Sequence, residues 1–250
     1  MAVNYVLCIA LCVLVGKIHG LNYVEIFRDD FRGNTINEAK WNRITTPSNV
    51  NQELQHYVWD DTWQEHDFLF LRSQKRNYGG RSYTSGRVDT QNKFNFLYGE
   101  VEWKAKLPRG TGIWPALWLL QWQCPPATPC TTWPPEIDVM EARGDQPNKV
   151  TTTLHYGRAP NNGDDTKEIW GIDFTADFHT YKVIWDPNQV TFFIDGREVY
   201  KITDKTHIPK EEMYLIMNVA VGGWYSGSPS NSTPFPTHFI IDYVTVHRWQ

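Results

Sequence analysis

The stretch Trp133-Pro134-Pro135-Glu136-Ile137-Asp138-Val139-Met140-Glu141 places three carboxylates within six residues and separates them with apolar side chains. This alternation predicts a β-strand whose successive side chains point to opposite faces. Glu136 and Asp138 then share one face, while Ile137 and Val139 occupy the other. Glu141 is out of phase, and one extra residue near Met140, a β-bulge, would return it to the face of the other two acids.

Three carboxylates on one surface predict a chemical role, because like charges that are held together are costly to bury. Two carboxylates with separated pKa values are what hydrolysis of a glycosidic bond requires. With the bulge, Glu136 and Glu141 are four strand steps apart, about 13 Å between Cα atoms at ~3.3 Å per step. Side chains that lean towards each other leave roughly 5 Å between the carboxyl groups, which favours a retaining mechanism. The alternative is a solvated acidic strand at a sheet edge.

The N-terminus has the pattern of a signal peptide. The apolar run from Val6 to Val15 is too short to span a bilayer, and we place cleavage after Gly20. Residues 1–20 are then the signal peptide, residues 21–250 form one domain, and the protein is secreted. The alternative is an N-terminal strand or helix. No later stretch is apolar enough to span a membrane, so we expect no membrane partner.

Composition limits the partners and the compartment. The formal net charge is −4, and loss of Lys17 with the signal peptide makes it −5; with no basic cluster, this argues against nucleic acid. The two cysteines beyond residue 20, Cys124 and Cys130, flank a short loop and predict a disulfide in an oxidising compartment, with free thiols as the alternative. We expect a monomer.

Short alternating or apolar runs, separated by turn signals about every ten residues, predict an all-β sandwich. A curved sandwich of this size leaves a concave face on which a polymer can lie. Asp195-Gly196 predicts a hairpin turn, and residues 124–135 and 222–236 predict long loops. The predicted strands are Phe68 to Leu71, Thr84 to Val88, Gly99 to Ala105, Thr151 to His155, Tyr181 to Trp185, Val190 to Ile194, Tyr214 to Val219 and His238 to Arg248.

These motifs resemble family 16 glycoside hydrolases over nearly all of residues 21–250. Glu136-Ile137-Asp138-Val139-Met140-Glu141 is similar to the catalytic signature of that family in its bulged form. The resemblance implies a β-jelly-roll sandwich of two curved antiparallel sheets with an open cleft. In the laminarinase branch it implies endo-hydrolysis of β-1,3-glucans with retention. The other matching segments are Asp30 to Gly33 with Trp41, Asn51 to Tyr57, Tyr83 to Val88, Gly112 to Leu120, Thr153 to Gly157 and Leu215 to Gly223.

The resemblance also implies roles at the reacting centre. Glu136 matches the nucleophile and Glu141 the general acid/base, while Asp138 lies between them and helps to keep Glu141 protonated. His155 hydrogen-bonds the carboxylates or a sugar hydroxyl, with a buried structural histidine as the alternative. No cofactor is expected for catalysis.

Further residues match positions that bind the polysaccharide. Those with polar side chains are Asn51, Glu53, Arg87 and Asn218. Those that form an aromatic floor are Trp114, Trp118 and Trp133, although Trp118 is equally well explained as a core residue. Residues 158–168 are expected to form a polar loop near the cleft. Asn231-Ser232-Thr233 is a glycosylation sequon followed by Pro234, which disfavours its use.

Many members of the family carry one structural calcium ion on the convex face, and Glu25 and Asp242 match the positions that supply oxygen ligands. The alternative is that Asp242 is a surface acid on the last strand.

Other functions stay open. A glucan-recognition protein on the same fold typically lacks one or both catalytic glutamates, whereas this chain has both. A transglycosylase would transfer the glycosyl unit to a sugar instead of water. A mixed-linkage β-1,3(4)-glucanase is the nearest alternative among hydrolases, although lichenase-type members usually have one residue fewer before the second glutamate.

Overall fold

The chain forms two β-sheets that pack face to face. The computed structural model describes residues 23–123, 133–158 and 160–249. The predicted signal peptide and the pairing of Cys124 with Cys130 lie outside these residues. Within them the only helix is a 3-10 turn at Trp59–Asp61, so no described helix has the length and apolar character that crossing a membrane requires.

The strands are numbered in chain order. They are β1 (Tyr23–Asp29), β2 (Asn42–Arg43), β3 (Thr46–Pro47), β4 (Gln55–Tyr57), β5 (Thr62–Glu65), β6 (Phe68–Tyr78), β7 (Arg81–Ser85), β8 (Arg87–Asp89), β9 (Gly99–Lys106), β10 (Ile113–Gln121), β11 (Glu136–Ala142), β12 (Lys149–Tyr156), β13 (Gly163–Trp170), β14 (His179–Asp186), β15 (Gln189–Ile194), β16 (Arg197–Ile202), β17 (Met213–Val221) and β18 (Thr237–Trp249).

In the described part of the chain, one sheet has eleven strands and the other has seven. The larger sheet has the order β16-β15-β14-β9-β18-β6-β7-β4-β3, with β1 also paired to β18 and β5 to β6. The seven-stranded sheet has the order β13-β12-β11-β10-β17-β8-β2. The neighbours run antiparallel, as predicted, except for β4 and β7, which pair in parallel.

The core lies between the two sheets and follows from the alternation in the sequence. In β9 every second residue, including Val101, Trp103 and Ala105, is buried, and the residues between them are partly exposed. All nine residues of β17 are buried, since one of its faces meets the core and the other lies beneath the cleft described below. Each large apolar side chain removed from water stabilises the fold by about 1.5–3 kcal/mol.

One predicted strand is split. The run from Thr84 to Val88 reads as one strand, but β7 belongs to the eleven-stranded sheet and β8 to the seven-stranded sheet. The chain crosses between the sheets at Gly86, where a Cβ atom would come within 2.4 Å of the carbonyl oxygen of Asp61. Only glycine permits this approach. The crossing places Arg87 on the sheet that carries the carboxylate strand.

The two-sheet arrangement predicts that two isoleucine side chains contribute very differently to the free energy of unfolding. Ile241 is fully buried on β18, whereas Ile172 is 57 % exposed. Ile241→Ala is expected to lower the free energy of unfolding by about 2–5 kcal/mol because it leaves a cavity in the core. Ile172→Ala is the matched control, with an expected change within about 0.5 kcal/mol. Denaturant unfolding measures both, and similar losses would contradict the proposed core.

Candidate active site

The carboxylate strand β11 contains the predicted β-bulge. On the β12 side, Asp138 opposes Thr153 and Glu141 opposes Thr151, so two residues of β11 face the single residue Thr152. The Thr152 hydroxyl, which is buried, donates to the carbonyl oxygen of Asp138 at 3.0 Å, with that of Val139 3.2 Å away. This hydroxyl therefore provides a hydrogen-bond donor for the backbone carbonyl oxygens at the point where the strand pairing is interrupted.

The bulge places all three acids on one face of the seven-stranded sheet. Glu136, Asp138 and Glu141 line one cleft of about 750 Å³. Ile137 and Met140 are fully buried in the core on the opposite side. The prediction that one extra residue brings Glu141 into phase is therefore confirmed.

Each acid has a different partner. The indole N–H of Trp114 donates to Glu141 Oε1 at 2.8 Å, and that of Trp133 donates to Glu136 Oε2 at 3.3 Å. His155, opposite Glu136 on β12, has its Nε2 atom 3.1 Å from Asp138 Oδ2 and 3.8 Å from Glu136 Oε1. The two glutamates are thus held by separate tryptophans, with Asp138 and His155 between them.

The cluster resists full ionisation. Burial raises the pKa of Asp138 to about 8. Burial, and then the charge of Asp138, raise the pKa of Glu141 to about 8 despite the opposing effect of the Trp114 N–H. The pKa of Glu136 is also raised well above its ordinary value, by burial first and the charge of Asp138 second. Near neutral pH Asp138 and Glu141 therefore retain protons that exposed acids would have lost.

The predicted polar ligands meet on one side of this cluster. Glu53 is buried and accepts hydrogen bonds from Ser48 Oγ at 2.8 Å and Gln55 Nε2 at 2.6 Å, and Asn51 Nδ2 donates to its other oxygen at 3.2 Å. These donors fix the Glu53 carboxylate at the cleft wall, which it and Asn51 both line.

Arg87 and Asn218 lie side by side on β8 and β17. The guanidinium of Arg87 sits 5.3 Å from the ring centre of Trp118 and 5.8 Å from that of Tyr57. Asn218 accepts from the Trp118 indole at 2.7 Å and donates to the Tyr57 hydroxyl at 3.0 Å. Trp118 therefore combines the two roles left open by the sequence, because it lines the cleft and also packs on a small apolar cluster.

Sequence reasoning missed two aromatic residues at the rim. Trp224 is 67 % exposed, and its ring lies 5.8 Å from that of Trp114; the ring of Tyr225 lies 5.0 Å from Trp114. Both follow the Gly222-Gly223 turn, where a Cβ on Gly223 (φ 96°) would lie 3.1 Å from the Trp114 ring. A tryptophan directly after paired glycines in a predicted loop was the available signal.

The prediction that residues 158–168 form a polar loop is partly wrong. Gly163–Trp170 forms β13, the edge strand of the seven-stranded sheet, and its residues Asp164, Thr166 and Glu168 line the cleft. Both faces of this strand are largely solvated, so its sequence lacks the apolar alternation that marks the inner strands.

The structure does not bring the predicted calcium ligands together. Glu25 on β1 opposes His247 of β18 and pairs with Arg28 at 3.3 Å. Asp242 lies five residues from His247, roughly 15 Å along the strand, and binds Lys104 at 2.8 Å. The two carboxylates already pair with separate cations and do not form a common oxygen cage.

Within the described residues, one group of at least three side chains has potential metal-ligand spacing. It consists of Glu136, Asp138 and His155, whose donor atoms lie within 4.8 Å of one another. The 3.1 Å contact between His155 Nε2 and Asp138 Oδ2 accounts for the same proximity without a metal ion.

Comparison with known proteins identifies the family. A family model described as "Glycosyl hydrolases family 16" matches residues 37–245. The chain belongs to glycosyl hydrolase family 16. This finding confirms the resemblance seen in the sequence and the predicted all-β jelly-roll sandwich, and it makes the protein a glycoside hydrolase.

Three relatives illustrate the similarity. A glucan endo-1,3-beta-glucosidase of Cryptopygus antarcticus is 30 % identical over 99 % of both chains. The glucan endo-1,3-beta-glucosidase A1 of Niallia circulans is 34 % identical over 93 % of this chain, which spans only 39 % of that longer protein. The structure of the Rhodothermus marinus laminarinase has a TM-score of 0.82 and 30 % identity, covering 92 % of this chain and 99 % of that one.

The raised pKa of Glu141 predicts a pH-dependent cost to stability. The folded protein holds a proton on Glu141 between the unfolded pKa of about 4.3 and the folded value of about 8, so stability falls as pH rises through this window. Glu141→Gln removes that loss and is expected to raise Tm by several degrees at pH 8.5 and little at pH 4.

Thermal unfolding at the two pH values tests this prediction. Glu168→Gln is the control, because the pKa shift of Glu168 has the opposite sign: its hydrogen bond with Lys149 lowers the pKa. Its replacement should therefore not stabilise the protein at pH 8.5. Equal Tm changes for Glu141→Gln at both pH values would show that its ionisation carries no such cost.

Proposed function

We propose that the protein is a secreted, retaining endo-β-1,3-glucanase that hydrolyses laminarin-type glucans through a covalent glycosyl-enzyme intermediate. The observation that carries the proposal is the pair Glu136 and Glu141 on one face of β11, each held by its own tryptophan. The printed names of the Cryptopygus antarcticus, Niallia circulans and Rhodothermus marinus relatives support the choice of substrate.

Glu141 is the general acid in this mechanism. Its pKa of about 8 keeps it protonated near neutral pH, and the Trp114 N–H on Oε1 directs the other oxygen, which carries the proton, to the glycosidic oxygen. Proton donation lets the leaving sugar depart as a neutral hydroxyl. Once it has lost the proton, Glu141 acts as the base that activates water.

Glu136 is the nucleophile. Attack requires Glu136 in its ionised form, which a proton held on Asp138 permits, because the charge of Asp138 raises the pKa of Glu136. The Trp133 N–H and the nearby His155 both favour that ionised form. Attack on the anomeric carbon forms the glycosyl-enzyme as the leaving group departs. Water then displaces Glu136, and two inversions leave the product in the β configuration.

The cleft can hold an internal segment of a polysaccharide. Its lining extends from Glu168 on β13 to Arg87 on β8, five strand spacings or about 24 Å. Trp133 and Trp224 offer exposed ring faces for sugars, whereas Trp114, only 6 % exposed, lines the cleft floor beneath Trp224 and Tyr225. Buried Glu53 and Asn218 present fixed polar groups. This length supports cleavage within a chain.

Substitution of either glutamate should abolish turnover. Glu136→Gln and Glu141→Gln are each expected to lower kcat on laminarin by at least about 10³-fold, with the circular dichroism spectrum unchanged. Glu168→Gln, a third acid at the cleft edge, is the matched control and should retain most activity. Reducing-sugar release measures all three variants.

The two roles can be separated with an aryl β-glycoside whose leaving group needs no protonation. Glu141→Gln should still release a burst of the phenol, because its nucleophile is intact, whereas Glu136→Gln should release none. Full laminarin hydrolysis by Glu136→Gln would contradict the assignment.

Product analysis tests the stereochemical outcome and the linkage. Proton NMR should detect the β anomer first, and an initial α anomer would indicate inversion. On laminarin, lichenan, barley glucan and agarose, we expect the highest rate on laminarin and none on agarose. Equal rates on lichenan and laminarin would favour the mixed-linkage alternative. Binding without hydrolysis would favour a recognition protein. Products longer than the substrate at high substrate concentration would favour a transglycosylase.

A further inference from the structure

A second cavity of about 360 Å³ lies at the β2 edge of the seven-stranded sheet, outside the active site. Its most exposed apolar element is the indole of Trp59, which is 57 % exposed. The lining also includes Glu38, Arg43, Thr45 and Lys93. None of these residues belongs to the catalytic cleft described above.

The Trp59 indole forms a platform that packs against Arg43 and remains more than half exposed. The Arg43 guanidinium lies over its ring at 5.1 Å from the centre, and Glu38 fixes that guanidinium through a 2.9 Å ion pair. The backbone N–H of Trp59 donates to Thr45 Oγ1 at 3.1 Å, and its carbonyl accepts from Thr62 Oγ1 at 2.7 Å. A rigid, exposed indole stabilises binding of flat, partly apolar ligands such as sugar rings at low entropic cost.

Polar groups around the platform can hydrogen-bond a ligand rich in hydroxyls. Lys93 Nζ donates to the carbonyl oxygens of Glu38 and Trp41, the latter at 2.7 Å. Arg43 and Glu38 neutralise each other. The cavity thus presents fixed donors and acceptors beside an aromatic face, the usual composition of a small-molecule site.

The cavity lies next to the catalytic cleft, around the β2 edge of the sheet. Thr45 lines the second cavity, and the next two residues, Thr46 and Pro47, line the cleft. Along the seven-stranded sheet, β2 follows β8, which carries the cleft residue Arg87. From β11 to β2 there are four strand spacings, about 19 Å. Arg43 opposes Val88, whose side chain lies in the core, so a long glucan reaches Trp59 when it leaves the cleft past Thr46 and turns around the β2 edge.

We propose that the cavity formed by Trp59, Arg43, Glu38 and Lys93 is a distal subsite that binds a sugar unit of a long β-glucan whose central part occupies the catalytic cleft. The subsite rests on the proposed glucanase function and adds a preference for polymeric over short substrates. It does not take part in the bond cleavage.

Kinetics on substrates of two lengths test the subsite. Trp59→Ala is expected to raise KM for long-chain laminarin about 5- to 10-fold, the scale of one lost ring contact, and to change KM for laminaritetraose by less than about twofold. Trp59→Phe, which retains a ring, should lie between wild type and Trp59→Ala. Trp170→Ala is the matched control, because Trp170 is 59 % exposed at the opposite edge of the same sheet.

The outcomes separate this inference from the proposed function. If the wild type hydrolyses laminarin and Trp59→Ala has an unchanged KM for it, the subsite is wrong and the glucanase proposal stands. Equal KM increases for Trp59→Ala on the polymer and the tetrasaccharide, or equal effects of Trp170→Ala, would also overturn the subsite. If the wild type hydrolyses no β-1,3-glucan, the proposed function itself fails.

Discussion

The one extra residue in β11 is the constraint on which the active site depends. In a regular strand, Glu141 would point into the core, where Met140 now lies fully buried. The bulge exchanges the faces to which these two side chains point. The Thr152 hydroxyl hydrogen-bonds the carbonyl oxygens where the strand pairing is interrupted. The strand is held in register because a slip would expose Ile137 and Met140 and bury the acids among apolar side chains.

The same arrangement carries an electrostatic cost that the rest of the fold must offset. Burial at the floor of one cleft raises the pKa values of all three acids, and the charge of Asp138 raises those of Glu136 and Glu141 further. The proposed mechanism uses this cost, since a glutamate that holds its proton near neutral pH serves as an acid. The stability comes from elsewhere, above all from the continuous core between the two sheets.

The sequence predicts most of the fold and the reacting centre because both depend on local alternation. It predicts the bulge from the phase of Glu141. It cannot reveal that the run through Gly86 changes sheets, because the alternation continues across the crossing. It misplaces β13, whose two solvated faces leave no apolar signal, and it misses Trp224, whose position depends on a loop. Glu25 and Asp242 matched a family pattern individually, but only the register of β1 and β18 reveals how far apart they lie.

The strands and turns that carry the site residues determine which properties of the site can change most readily by substitution. Asn218 and Arg87 project from paired strands that are buried throughout, so their positions are fixed by packing and altering them would disturb the core. Trp224 and Trp59, in contrast, lie on turns whose backbone is held by a few hydrogen bonds and whose rings face solvent. Substitutions there cost little stability. The candidate catalytic groups are therefore tied to the sheet, whereas the exposed aromatic rings, which tolerate substitution, lie at its edges.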